Sequence, residues 1–192
     1  MAIDFAFRKN AVRTLTNAIG VYVLCDLDGI PIYVGQSRDG IRARVRRHLT
    51  SARSDIIANR QIDVWEIAWV LAFPEPNPEK LAELESCVFH YFNDRSTLMN
   101  GTIPARPSDD TEPPAPAQRV QVMADDEIAE KLEAPLRLPR QAEHYSQIVS
   151  HFLAVKNSTQ IARAMQAHFE RLSKYHRQLL GSATPDEETS DS

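Results

Sequence analysis

Apolar and polar positions change rhythm several times along the 192 residues. Val21-Tyr22-Val23-Leu24-Cys25 and Pro31-Ile32-Tyr33-Val34 are short β-prone runs on either side of Asp26-Leu27-Asp28-Gly29. Such runs around an Asp-Gly step predict a β-hairpin. Ile41, Val45, Leu49, Ala52 and Ile56 then recur every three or four residues, the period of an amphipathic helix over 39–58. Asp63 to Val70 is a third apolar run, ended by Pro74-Glu75-Pro76-Asn77-Pro78; it predicts a strand on which Trp65 and Trp69 point into the core. Leu81, Leu84, Val88 and Tyr91 form the inward stripe of a second helix over 79–92. The order β-β-α-β-α describes an α+β domain over 1–103: a small three-stranded antiparallel sheet with flanking helices.

The segment 104–124 interrupts these rhythms. Pro104, Pro107, Pro113, Pro114 and Pro116 stand there with Asp109, Asp110 and Glu112. A stretch so poor in apolar side chains cannot offset its ordering entropy, so an extended acidic linker is expected. The rhythm of 125–181 is wholly helical. Tyr145, Ile148, Val149, Phe152 and Leu153 mark one amphipathic face, and Ile161, Met165, His168, Leu172, Tyr175 and Leu179 alternate in steps of four and three. That alternation is the seam of a helix pair, with Ser158 or Thr159 as its start signal and Gly181 as its stop. The seam carries more apolar surface than one short helix hides, which makes a homodimer through these helices an expectation. The acidic tail, 182–192, is expected to stay outside any core.

Charge sharpens this division. Lys+Arg total 22 against 26 Asp+Glu, a net −4, which excludes a histone-like polybasic binder but leaves room for a local basic patch. Residues 1–103 hold 12 of each sign and residues 127–180 hold 8 basic against 5 acidic. The negative excess therefore lies in linker and tail, and the helical module can touch nucleic-acid phosphates. Cys25 and Cys87 are far apart in apolar runs and read as reduced, packed thiols. With no 18-residue apolar stretch and no signal-like start, a soluble cytoplasmic chain is expected. His90, His144, His151, His168 and His176 lack the spacing and cysteine partners of a zinc site.

The chemistry-bearing residues cluster in the first half. Gly20-Val21-Tyr22 and Tyr33-Val34-Gly35 lie on the two arms of the hairpin. Arg44 and His48 are four residues apart, hence on one helix face. Glu85 stands mid-way along the second helix and Asn100 beyond it. Arg38, Arg42, Arg44, Arg46, Arg47 and Arg53 have few acidic neighbours, the composition of a phosphate-binding stripe. Phosphodiester hydrolysis needs an activated water, neutralised phosphoryl charge and a protonated leaving oxygen. One carboxylate can hold a Mg²⁺ that keeps several waters, and an arginine offers a fixed fork of donors. A tyrosine can serve as base only if its surroundings pull its pKa down from roughly 10.

Together these elements, over residues 18–100, resemble the GIY-YIG nuclease family: Gly20-Val21-Tyr22 and Tyr33-Val34-Gly35 stand for its two name motifs, Arg44 and His48 for its Arg-x3-His helix, and Glu85 for its glutamate. The resemblance implies a metal-dependent endonuclease acting on DNA and leaving 5′-phosphate and 3′-hydroxyl ends. It implies Tyr22 as general base, Tyr33 orienting water or phosphate, Arg44 stabilising the phosphate, and His48 assisting proton transfer. Glu85 would hold one Mg²⁺ or Mn²⁺. Gly35, Arg38, Arg42, Arg46, Arg47 and Asn100 would form the DNA side. Two features depart from the family pattern: Gly40 is an extra residue before the arginine helix, and the position of the closing asparagine is Thr97, between Asn93 and Asn100. A nuclease fold that binds nucleic acid without turnover, and a helical scaffold, are the readings from other classes.

Overall fold

The computed structural model describes residues 4–50, 54–58, 60–108, 112–155 and 157–183. Ala52 and Arg53 of the first predicted helix, Asp109 and Asp110 of the linker, and the tail from 184 onward lie outside the described residues. In chain order the elements are α1 (Phe5–Thr14), β1 (Gly20–Cys25), β2 (Pro31–Ser37), α2 (Ile41–Thr50), α3 (Asp55–Ala58), β3 (Trp69–Pro74), α4 (Leu81–Asn93), β4 (Gln118–Gln121), α5 (Asp125–Leu132), α6 (Ala134–Ala154) and α7 (Thr159–Ala183).

The hairpin forms where Asp26 and Gly29 place it. The Asp26 carboxylate accepts from the Asp28 and Ile30 amides at 3.0 and 2.8 Å, and Gly29 takes the positive φ of 75° that the turn requires. The sheet is antiparallel in the order β2-β1-β3-β4, so it has four strands rather than three. The added strand comes from the segment read as linker. Its four residues contain one apolar side chain, Val120, and such a short polar edge strand carries no alternation to detect. The third strand also begins later than predicted, at Trp69. Asp63 accepts from the Trp65 amide at 2.9 Å and caps a 3₁₀ turn over Val64–Glu66, so Trp65 and Trp69 do not share a strand and both are half-buried. Within the helix predicted over 39–58 the described residues give α2 from Ile41 to Thr50 and, after a non-helical Ser54, the short α3. Gly40 sets the start: its φ is 103°, and a Cβ there would lie 2.6 Å from the Asn17 carbonyl oxygen.

β1 is central and buried along its whole length, and its residues alternate between two cores. Tyr22 and Leu24 join Ile41, Val45 and Leu49 of α2. Val21 and Val23 join Val34, Phe73, Val88 and Phe89 on the α4 side. α1, which the hydrophobic pattern did not reveal, inserts Arg8 into the interior. That guanidinium is fully buried and donates to the carbonyls of Val122, Val64 and Ile67 at 3.2, 3.2 and 3.0 Å.

α6 and α7 pack on each other through Ile148, Ile161 and Ala164, and then onto the sheet domain. Asp26, just past the end of β1, is fully buried and ion-paired with Arg171. Arg137 bridges Asp28 at 2.8 Å and Glu66 at 3.0 Å, and donates to the Tyr175 hydroxyl at 2.6 Å. His168 meets the Gln61 carbonyl at 2.9 Å. Ile161, His168 and Tyr175 of the predicted seam are therefore buried inside the chain, which removes them from the surface that the dimer expectation required. Ser158 does start α7, accepting from the Ile161 amide at 3.3 Å; Gly181 does not end it, since the helix runs to Ala183. Among the described residues no helix is long and apolar enough to cross a membrane.

Candidate active site

The hairpin register pairs Tyr22 with Gly35 and Leu24 with Tyr33, so both tyrosines stand on one face as diagonal neighbours. Their ring centroids are 6.3 Å apart. Gly35 makes this approach possible: a Cβ there would lie 2.5 Å from the Tyr22 hydroxyl and 2.9 Å from the Tyr33 ring. α2 packs on the same face and brings His48 to the pair. Its Nε2 lies 2.7 Å from the Tyr22 hydroxyl and its Nδ1 2.6 Å from the Ser54 hydroxyl. Burial, with the nearby Arg44 charge, lowers the His48 pKa to about 4. The imidazole is therefore neutral at neutral pH, with one acceptor nitrogen and one donor. In the assignment that serves both contacts with His48 accepting from the phenol, Tyr22 O–H donates to Nε2 and Nδ1–H donates to Ser54.

Tyr22 is fully buried. Burial and the neighbouring Tyr33 raise its pKa well above the ordinary phenol value and outweigh the hydrogen bond from Arg44 that acts to lower it. The lowered phenol pKa expected from the sequence is therefore not what the site provides, and a base role for Tyr22 requires that its own proton be passed on. The Arg44 Nε is itself buried and has no hydrogen-bond partner among the described residues, a donor held where an anionic oxygen would satisfy it. Glu85 approaches from α4, which packs against β2. Burial raises its pKa, and the backbone N–H and side-chain amide of Gln36 donate to the carboxylate and oppose that rise. With Tyr33, Gln61, Phe89, Asn100 and Gln160 it lines a cleft of about 300 Å³.

The structure thus gathers Tyr22, Tyr33, Gly35, Arg44, His48 and Glu85 in one place. The other predicted DNA contacts divide: Asn100 lines the same cleft as Tyr33 and Glu85, whereas Arg42, Arg46 and Arg47 line a different cavity. Arg38, Arg46 and Arg47 are exposed. Arg42 donates to the Leu15 carbonyl at 2.6 Å and lines that cavity with Asn17, Arg46, Arg47 and Thr50. Asn100 uses its amide on the Val34 backbone, accepting from N–H at 3.0 Å and donating to C=O at 2.7 Å. Ser54, Gln36 and Gln160 are site residues that the sequence did not mark; none belongs to a motif or a periodic stripe.

Among the described residues no three His, Cys, Asp or Glu side chains converge as a metal-ligand set. Glu85 is a single hard-oxygen donor whose hydrogen-bond donors, both from Gln36, are neutral. A half-buried carboxylate of this kind fits Mg²⁺, which takes one or two carboxylates and keeps much of its water.

A small sheet with helices on both faces gathers two phenols, an imidazole, a guanidinium and a carboxylate, groups that hydrolytic phosphoryl chemistry uses. Residues 18–96 match the family model described as the GIY-YIG catalytic domain, and the N-terminal half of the chain carries that resemblance. The match supports a nuclease-type function; it spans all the gathered residues and ends before Asn100 and the C-terminal helices. No curated protein matches the chain.

Proposed function

We propose that the chain is a metal-dependent endonuclease that hydrolyses DNA phosphodiester bonds. The observation that carries this reading is the buried series Tyr22–His48–Ser54 beside the unpartnered Arg44 nitrogen. Water adds to phosphorus, the P–O3′ bond breaks, and the proton released by the water ends on O3′. Tyr22 takes the water proton while its own moves toward the neutral His48 Nε2, so a free tyrosinate need not form first. Arg44 donates to a phosphoryl oxygen as its charge grows, and Tyr33, on the cleft wall, orients water or phosphate. One Mg²⁺ or Mn²⁺ on Glu85 supplies positive charge to the phosphoryl oxygens when bound. Exposed Arg38, Arg46 and Arg47 hold flanking phosphates.

The direct test is incubation with labelled duplex, single-stranded, flapped and branched DNA in Mg²⁺ or Mn²⁺, with chelated controls. Cleavage of at least one substrate, leaving 5′-phosphate ends and stopped by chelation, is the expected result; no cleavage of any substrate refutes the reading.

Arg44→Lys keeps a charge but loses the fork. Turnover is expected to fall by about 10²-fold, the size of one lost transition-state donor. Arg46→Ala, on the exposed side of α2, should leave turnover intact, weaken DNA binding and reduce the salt slope by about 1. Single-turnover rates and binding titrations at several salt concentrations separate the two. Matching behaviour would reduce Arg44 to one phosphate contact among several.

A further inference from the structure

The family match ends at residue 96, but the cleft continues into Asn100, Gly101, Thr102 and Gln160. Three residues along α7 from Gln160 stands Arg163. Its Nε donates to the Asn100 carbonyl at 2.9 Å, and its Nη2 donates to the Asn93 side-chain oxygen at 2.7 Å.

Asn100 itself lines the cleft, and Asn93 ends α4, the helix whose Glu85 and Phe89 form the facing wall. β2 is the outer strand of the sheet, so the Val34 N–H and C=O on its free edge need partners from elsewhere. The Asn100 amide supplies both. Val34 sits between Tyr33 and Gly35, so this bracket holds the tyrosine wall. The segment carrying Asn100 has no regular structure of its own; it is tied by the Met99 amide to the Ile32 carbonyl at 2.8 Å and by Arg163. Asn93 is the last residue of α4, the helix that bears Glu85, and its side chain also accepts from the Leu98 amide at 3.2 Å. A guanidinium presents its donors in a rigid fork and can hold two acceptors at a set separation, which an ammonium cannot.

We propose that Arg163 is a positioning residue of the active site: from outside the 18–96 domain it fixes the spacing between the Tyr33 and Glu85 walls of the cleft. The C-terminal helices are then part of the catalytic unit. The inference rests on the nuclease reading of the site for its consequence in turnover, and on hydrogen bonds alone for its structural half.

R163A in the full chain tests both halves. α7 remains docked through His168, Arg171 and Tyr175, so the chain should stay folded, with the melting temperature lowered by a few degrees for the two lost hydrogen bonds. Amide exchange at Val34 and Leu98 should accelerate. Turnover should fall by about tenfold or more, as expected for small misplacements of reacting groups, with KM for DNA unchanged. R163K, which reaches one acceptor at a time, should recover part of the protection and part of the turnover. Wild-type exchange at Val34 and Leu98 in R163A overturns the proposal. So does a raised KM with unchanged turnover, which would make Arg163 a DNA contact, and so does faster exchange with no loss of turnover. If the wild-type chain cleaves no DNA, the nuclease reading fails, and the exchange result by itself decides whether Arg163 holds the walls.

Discussion

Glu85→Ala is expected to take cleavage below detection while DNA binding persists. Among the described residues Glu85 is the one carboxylate lining the tyrosine cleft, and its loss removes the site at which a divalent ion would be held. Metal stabilisation of a phosphoryl oxygen is worth several kcal/mol of transition-state free energy, and about 4 kcal/mol corresponds to a thousandfold in rate. Binding should survive because the substitution removes a negative charge from the path of a polyanion and leaves Arg38, Arg46 and Arg47 in place. Glu85→Gln serves as the conservative companion, since it preserves the side-chain length and one acceptor for Gln36. Single-turnover cleavage in Mg²⁺ and Mn²⁺, read beside anisotropy titrations in chelator, decides the matter. Cleavage by either variant near the wild-type rate would remove Glu85 from the metal role.

Tyr22→Phe deletes one hydroxyl from a buried ring and leaves the β1–β2 pairing untouched. The chain should fold, with a stability loss on the order of 1–3 kcal/mol from the partner group left at His48. Turnover should fall by about 10²–10⁴, the usual contribution of a general base. The His48 pKa, lowered to about 4 by burial and the Arg44 charge, sets the pH dependence. Protonated His48 can no longer accept from Tyr22, so the rate should hold through neutral pH and fall as pH drops toward about 4. Tyr33→Phe is the necessary comparison, because Tyr22 is fully buried whereas Tyr33 lines the cleft. An active Tyr22→Phe beside an inactive Tyr33→Phe would transfer the base to Tyr33.

Much of this site is legible in the amino-acid sequence, because its parts are local. A hairpin is specified by Asp26, Gly29 and the β-prone residues on either side. One helix face carries both Arg44 and His48 through a four-residue spacing, and the stripe of α4 places Glu85 beside apolar neighbours. In each case the signal lies within about a dozen residues, the range over which periodicity and turn chemistry act. At 63–70 a single Asp63 cap diverts an apolar run from the strand that its pattern predicts into a 3₁₀ turn.

Other features carry no local signature. β4 is a strand because β3 offers it a free edge, not because Gln118-Arg119-Val120-Gln121 prefers to extend. Buried Arg8 is satisfied by carbonyls 56 to 114 residues away, and Asp26 binds Arg171 and Tyr175 far along the chain. Ser54 acquires its role by meeting His48, and Arg163 by meeting Asn93 and Asn100. Local patterning thus specifies the hairpin, α2 and α4 of the N-terminal half and the polar side chains they carry. The gathering of those side chains at one site, and the closing of the cleft by Gln160 of α7, depend on contacts between distant segments, whose partners are chosen by packing geometry and leave no spacing to be read.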